Sequence, residues 1–196
     1  MSPNTKPGVF CLEGPWSANL TDESTVEPLL QLLKNRREIR YIHRDTATIE
    51  EFNEYATRWA QTQYDDYSFG YLAFHGSKAE ISLGRSHISI DALGKTLEGK
   101  CAGRTIYFGS CKTLATSWEE LEEFLARVRA RAVCGYTEDI DWVQSAAFEL
   151  NLLSTVPRSK RIDAGFLALQ KGNGDTMNKL GFRALWANGR ISPSTK

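Results

Sequence analysis

The sequence predicts an α/β fold in three layers: a mostly parallel central sheet of about six strands, helices on both faces, and a small β-hairpin after the third strand. Three observations carry this prediction. Strand-like and helix-like patterns alternate along the chain, with no internal repeat and no low-complexity linker. Two runs, FGYLAF (Phe69 to Phe74) and TIYF (Thr105 to Phe108), are continuously apolar, as expected of central parallel strands covered on both faces. The 196 residues, 41% hydrophobic and 24% charged, suffice for a single domain with a sizeable core.

Each element has its own signal. Gly8 to Leu12 (GVFCL) reads as the first strand and ends at Glu13-Gly14-Pro15-Trp16. The first helix is expected from about Ser24 to Arg37, with Ser24 and Glu27 as a capping box and Pro28 in the first turn. Arg40 to His43 (RYIH) is the second strand. Thr48 and Glu51 form another capping-box pattern and open a helix to about Gln63, with Phe52, Tyr55, Ala56 and Trp59 in one apolar stripe. The third strand is FGYLAF. Ala79 to Leu83 and His87 to Ile90 flank Gly84-Arg85-Ser86 as a hairpin, followed by a short helix from about Ile90 to Leu97.

The fourth strand is TIYF. Ser117 and Glu120 cap a helix carrying Leu121, Phe124, Leu125 and Val128 on one face. Ala132 to Tyr136 (AVCGY) is the fifth strand. Asp141 and Gln144 open the next helix, with Ala147, Leu150, Leu153 and Val156 expected inside. Beyond it, Ile162 to Leu169 reads as helical and Gly181 to Trp186 as a last strand. The whole chain, 1–196, reads as one domain, with a core over about 8–156 and a C-terminal extension over 157–196.

Composition excludes some function classes. The 24 basic and 24 acidic residues cancel, which argues against a dedicated nucleic-acid binder. No apolar stretch approaches the ~18 residues of a membrane span, and the MSPNTKPG start has no apolar leader, so no membrane partner is expected. Of the four cysteines, Cys11 and Cys134 lie in apolar runs and are expected to fill core space. No CxxC pair offers zinc-finger spacing, and no metal or cofactor is called for. A reducing cytoplasm is the expected compartment, and a catalytic thiol stays free there. No nucleotide-binding loop and no GxSxG elbow occur, so neither a nucleotide site nor a serine nucleophile at Ser110 has support.

The functional signal lies at two strand ends. FGYLAF stops at His75-Gly76, and TIYF stops at Gly109-Ser110-Cys111. Right-handed crossovers place the carboxyl ends of parallel strands at the same edge, where open α/β sheets bind ligands. A thiol and an imidazole meeting there make a nucleophile and its proton acceptor. Alone, His75 reads as a core histidine and Cys111 as a small buried hydrophobe; together, each beside glycine, they point to a catalytic pair. The N–H groups of Gly76 and Cys111 are the candidate oxyanion donors, since glycine lets backbone approach substrate closely. His43 ends the second strand and either reaches this crevice or serves structure. Asp45 follows it and either caps or orients a neighbour.

The blocks YLAFHGS and IYFGSCKT, in this order, resemble the caspase-like cysteine peptidases, a superfamily that also holds metacaspases, legumains, separases, gingipains and CHAT proteins. The resemblance spans about Gly8 to Val156. The interval from His75 to Cys111 is shorter than the ~50 residues of caspases, which suggests a compact member. The FCLEG start and the CGYTEDIDW stretch also resemble an uncharacterised group of small single-domain caspase-like proteins. The resemblance implies a caspase-like (flavodoxin-like) fold, His75 as general base and Cys111 as nucleophile of an endopeptidase. It implies a protein or peptide substrate and no cofactor, with calcium activation in some relatives. By analogy it also implies an activating partner protein and a stress or defence pathway.

Departures from the family pattern bear on specificity. The caspase QAC-x-G signature is absent, and Gly109 stands where metacaspases carry an Asp. In the superfamily the substrate pocket draws on the ends of strands 1 and 5, which here offer Glu13 and the segment Glu138, Asp139, Ile140, Asp141 and Trp142. That charge is acidic and implies a preference for Arg or Lys. Against this, Asp141 suits a helix N-cap, Glu138 and Asp139 suit a solvated loop, and Trp142 suits a pocket wall. Arg158, Lys160 and Arg161 read as a solvated face or an exposed cleavable loop. Two alternatives to an enzyme stand: an inactive caspase-like binding or signalling module, and a flavodoxin-like sensor of a small anion.

Overall fold

A computed structural model describes residues 6–193; residues 1–5, part of the start read as lacking an apolar leader, lie outside them. Its elements, in chain order, are β1 (Gly8–Glu13), α1 (Glu27–Asn35), β2 (Arg40–Asp45), α2 (Ile49–Trp59), β3 (Phe69–Ala73), β4 (His75–Ser77), β5 (Glu80–Leu83), β6 (Ser86–Ser89) and α3 (Ile90–Thr96). There follow β7 (Thr105–Gly109), α4 (Trp118–Val128), β8 (Ala132–Tyr136), α5 (Trp142–Thr155), α6 (Ile162–Lys179), β9 (Phe182–Trp186) and β10 (Gly189–Ile191). No helix among the described residues is long and apolar enough to cross a membrane.

The main sheet has seven strands in the order β10-β9-β8-β7-β3-β1-β2. β2, β1, β3, β7 and β8 run parallel, whereas β9 and β10 add antiparallel at one edge. β3 and β7 are neighbours near the middle, with Tyr71 opposite Tyr107 and Ala73 opposite Gly109. Every residue of both strands is buried, as their unbroken apolar sequences require.

The two faces of the sheet carry separate cores. One packs α1, α5 and α6 around Cys11, Tyr71, Tyr107, Cys134, Tyr136, Phe148 and Phe166. The other packs α2, α3 and α4 around Leu12, Phe52, Trp59, Leu72, Phe74, Phe108 and Phe124. Neighbouring residues of a strand point to opposite faces, so a single strand feeds both cores. The caps read at Thr48–Glu51, Ser117–Glu120 and Asp141–Gln144 all form.

Several elements differ from the sequence reading. The hairpin after β3 is a three-stranded antiparallel sheet, β4-β5-β6, because His75, Gly76 and Ser77 pair with Ser82, Ile81 and Glu80. A three-residue strand is too short to show a period in sequence. α1 begins at Glu27 rather than Ser24, and no Ser24–Glu27 capping box forms. Ser24 Oγ instead donates to Asp22, and the distant Glu13 carboxylate accepts the Val26 N–H at 2.7 Å. A left-handed Arg37 follows the end of α1. α2 stops at Trp59 and gives way to a 3-10 turn over Thr62–Tyr64.

On α5, Ala147 is exposed; the inward positions are Ser145, Phe148, Glu149, Leu152 and Leu153. α6 extends to Lys179 through a kink at Asn173. Phe166, Leu169, Phe182 and Ala184 share a core with residues of β1 and β3. The basic segment before α6 is tied down. Arg158 pairs with Glu38, Arg161 with Asp163, and Arg131 donates to the carbonyls of Ser159 and Lys160.

Candidate active site

β3 and β7 deliver His75 and Cys111 to one edge of the sheet, and both line a single cavity of about 320 Å³. Trp16, Val26, Phe74, Ile140 and Trp142 supply most of its apolar wall, with Tyr71 and Glu149 also lining it. Its size falls in the range of ~300–1,000 Å³ typical of ligand sites.

His75 is exposed and opens β4. Its Nε2 lies 2.7 Å from the Trp16 carbonyl, and a carbonyl oxygen can only accept, so Nε2 carries the proton. Nδ1 is then the basic nitrogen of the ring. The Trp16 indole also meets His75 edge-on at 5.3 Å and Trp142 edge-on at 4.8 Å. Trp16 thus orients the imidazole and joins it to the opposite cavity wall.

Cys111 is half-buried, whereas Cys11, Cys101 and Cys134 are buried. Burial raises the thiol pKa of all three buried cysteines, Cys101 to about 11, so they stay protonated and inert. The Ile140 N–H approaches Cys111 Sγ at 3.5 Å. Among the described residues no hydrogen bond joins His75 to Cys111, and the Cys111 N–H has no acceptor.

The loop that carries Cys111 is held from two sides. Lys112 has a left-handed backbone (φ 54°), its N–H donates to the Glu138 carbonyl, and its ammonium pairs with Asp139. Left-handed non-glycine residues cluster at functional loops held by their surroundings. On the other side Gly76 presses on the loop: a Cβ there would sit 2.5 Å from the Cys111 carbonyl oxygen and 2.9 Å from Ser110 Cβ. Only glycine permits this approach. Ser110 is buried, and its hydroxyl bonds Thr113 at 2.7 Å.

The residues read as pocket candidates scatter. Trp142 lines the cavity, as does its neighbour Ile140. Asp141 is occupied as the N-cap of α5. Glu138 and Asp139 are exposed and lie outside the lining, with Asp139 paired to Lys112. Glu13 is buried beneath the site and its carboxylate is saturated. It accepts from the Trp16 indole, from Thr25 Oγ1 and the Val26 N–H at 2.7 Å each, and from His43 Nε2 at 2.6 Å. It therefore anchors cavity walls instead of offering charge to a ligand.

His43 stands beside Glu13 and does not line the cavity. Burial opposes its protonation, but the hydrogen bond and charge of Glu13, with Asp45, outweigh that and raise its pKa. Burial likewise opposes ionisation of Glu13, but its four donors win and lower its pKa. Possible ligand atoms of Glu13, His43 and Asp45 lie within 4.8 Å of one another. The direct Glu13–His43 bond and the three other donors on Glu13 make this cluster an internal ion pair.

Sequence reasoning missed Glu149. It is 4% exposed, projects from α5 into the cavity lining, and accepts from Tyr71 at 2.6 Å and Tyr107 at 2.7 Å. Burial raises its pKa to about 7, against the lowering effect of the tyrosine hydroxyls. Gly109 makes room for this arrangement, because a Cβ there would strike the Tyr71 ring. A signal existed: three tyrosines in predicted core strands, Tyr71, Tyr107 and Tyr136, need an acceptor once buried.

Comparisons with known proteins place the fold. The chain is similar to the solved structure of pro-Sf-caspase-1, at TM-score 0.55 and 10% identity, over 89% of this chain and 83% of that one. It is likewise similar to the crystal structure of caspase-1 from Spodoptera frugiperda, at TM-score 0.55 and 12% identity, over 86% and 77%. The fold is therefore caspase-like, and identity this low carries no activity with it. No curated protein matches the sequence. A family model described as a family of unknown function, DUF6642, matches residues 6–186, and the chain belongs to that family.

Proposed function

We propose that this chain is a cysteine endopeptidase acting through Cys111 and His75, with a preference for a basic residue before the scissile bond. The observation that carries the reading is the shared cavity. Cys111 is the one half-buried thiol among four cysteines, and it lines the same pocket as an imidazole whose Nε2 is fixed on the Trp16 carbonyl. That bond leaves Nδ1 to take the thiol proton.

The thiolate sulfur attacks the scissile carbonyl carbon, and the carbonyl electron pair moves to oxygen. The N–H groups of Gly76 and Cys111 stabilise that oxyanion, which fits the unsatisfied Cys111 N–H. Collapse breaks the C–N bond, and the departing amine takes the proton from His75. Water, deprotonated by the same nitrogen, then hydrolyses the thioester and restores the thiol.

The test is labelling with a thiol-directed electrophile beside a peptide-cleavage assay. Selective modification of Cys111, lost in His75→Ala, together with cleavage lost in Cys111→Ala, is the expected result. Cleavage that persists in Cys111→Ala overturns the reading.

A further inference from the structure

We propose that Glu149 is the group that reads the substrate: the cavity takes an Arg or Lys side chain, whose cationic head pairs with the Glu149 carboxylate. This inference rests on the peptidase reading of Cys111, and it moves recognition from the loop acids Glu138 and Asp139 to a buried helix residue.

The two buried glutamates of this site make the argument by contrast. Glu13 has a titratable partner of its own in His43, 2.6 Å away, whose pKa the carboxylate raises. Glu149 is held only by neutral hydroxyls, and no Lys, Arg or His pairs with it among the described residues. A carboxylate out of water without a countercharge is costly, and it either stays protonated or waits for a cation. Its half-way state follows, with a pKa pushed by burial to about 7.

The shape of the cavity agrees. Among the described residues lining it, Glu149 is the sole acid and no Lys or Arg occurs. Leu29, Phe74 and Ile140 suit an aliphatic stem, and the Trp16 and Trp142 rings suit a cation passing or resting against them. A side chain entering beside Cys111 thus meets apolar walls first and the carboxylate as its only opposite charge. The acids expected from sequence are unsuited, since they lie outside the lining and Asp139 already holds Lys112.

A pH signature follows. The groups that face Glu149 are Tyr71, Tyr107 and Tyr136 from three strands, with Glu13 on β1 acting through its charge and Cys11 beside them on the same strand. Burial raises the pKa of the three tyrosines and of Cys11 well above their ordinary values, so they remain neutral through pH 8. Glu13, its pKa lowered, stays ionised. Glu149 alone in this group changes charge near pH 7.

The experiment measures binding of benzamidine and of its neutral isostere benzamide to Cys111→Ala, by calorimetry and by tryptophan fluorescence. His75→Gln is added to remove the titrating imidazole among the described residues lining the cavity. Benzamidine is expected to bind about tenfold tighter at pH 8 than at pH 6, with benzamide unchanged. Glu149→Gln is expected to weaken benzamidine at pH 8 by about tenfold or more and to abolish the pH dependence. Should Glu149→Gln fail to fold, the benzamidine profile against benzamide decides alone.

Equal binding of both ligands, or benzamidine binding untouched by Glu149→Gln, overturns the inference. Peptides ending in Arg, Lys, Leu and Asp separate it from the peptidase reading. Cleavage that ignores this residue sinks the role of Glu149 and leaves the enzyme standing. Glu149-dependent benzamidine binding with no cleavage and no labelling of Cys111 sinks the enzyme and leaves the cation site standing.

Discussion

His75 and Trp16 are joined twice: ring Nε2 donates to the Trp16 carbonyl at 2.7 Å, and the indole meets the imidazole edge-on at 5.3 Å. Through its indole N–H, Trp16 is in turn held by the buried Glu13 carboxylate, which also pairs with His43. The orientation of the exposed imidazole is thus set by a chain of contacts reaching into the sheet.

His75→Ala and Cys111→Ala are expected to lower peptide cleavage by roughly a thousandfold or more. His75 is exposed and Cys111 half-buried, so neither change opens a large cavity. Urea unfolding is expected to stay within about 1 kcal/mol of the parent chain. A loss of activity that tracks a loss of stability contradicts this.

The glycines separate position from fold. Gly76→Ala forces β4 away from the Cys111 loop and is expected to lower kcat roughly 100-fold, since displacements near 1 Å can cost that much. Gly109→Ala drives a methyl group into the Tyr71 ring inside the core. It is expected to destabilise by about 1–3 kcal/mol, read from the urea midpoint.

Glu13→Gln removes the ion pair with His43 and is expected to cost about 3–5 kcal/mol. The sign with pH follows from both partners. His43, its pKa raised, contributes stability fully present below about pH 6.5 and lost as pH rises through the raised value. Glu13, its pKa lowered, contributes stability present above about pH 4.5 and lost as pH falls. The difference between parent and variant is therefore expected to be largest between those limits, by denaturant unfolding at several pH values.

Glu149 acts in the opposite direction. Its folded pKa, about 7, lies above the ordinary glutamate value, so the unfolded chain releases the proton first. Stability relative to Glu149→Gln is expected to fall by about 3 kcal/mol as pH rises from about 4.5 to 7, and to level off above. A flat difference across that range contradicts a buried, cation-free carboxylate.

Much of this was legible in the chain. FGYLAF and TIYF are apolar without alternation, and only central parallel strands need that, so the meeting of their ends at His75 and Cys111 followed from chain handedness. The caps at Thr48, Ser117 and Asp141 are local hydrogen bonds within four residues, and such bonds are written in short motifs. The cap of α1 was not legible, because its acceptor is Glu13, thirteen residues away on β1.

By itself, then, the sequence determined the layer order, the central strands and the delivery of an imidazole and a thiol to one sheet edge. These depend on hydrophobic period and on local caps. Which acid faces the cavity was settled by packing between distant segments. Glu13, Glu138, Asp139 and Asp141 stand near the right strand ends in sequence, yet each is saturated, capped or turned to solvent. Glu149 stands in mid-helix, where an acid ordinarily faces water, and it is buried because three tyrosine hydroxyls from three strands point at one position on α5. Charge in a pocket is set by which side chains share it and by what already partners them, and those are relations between distant segments that no local pattern records.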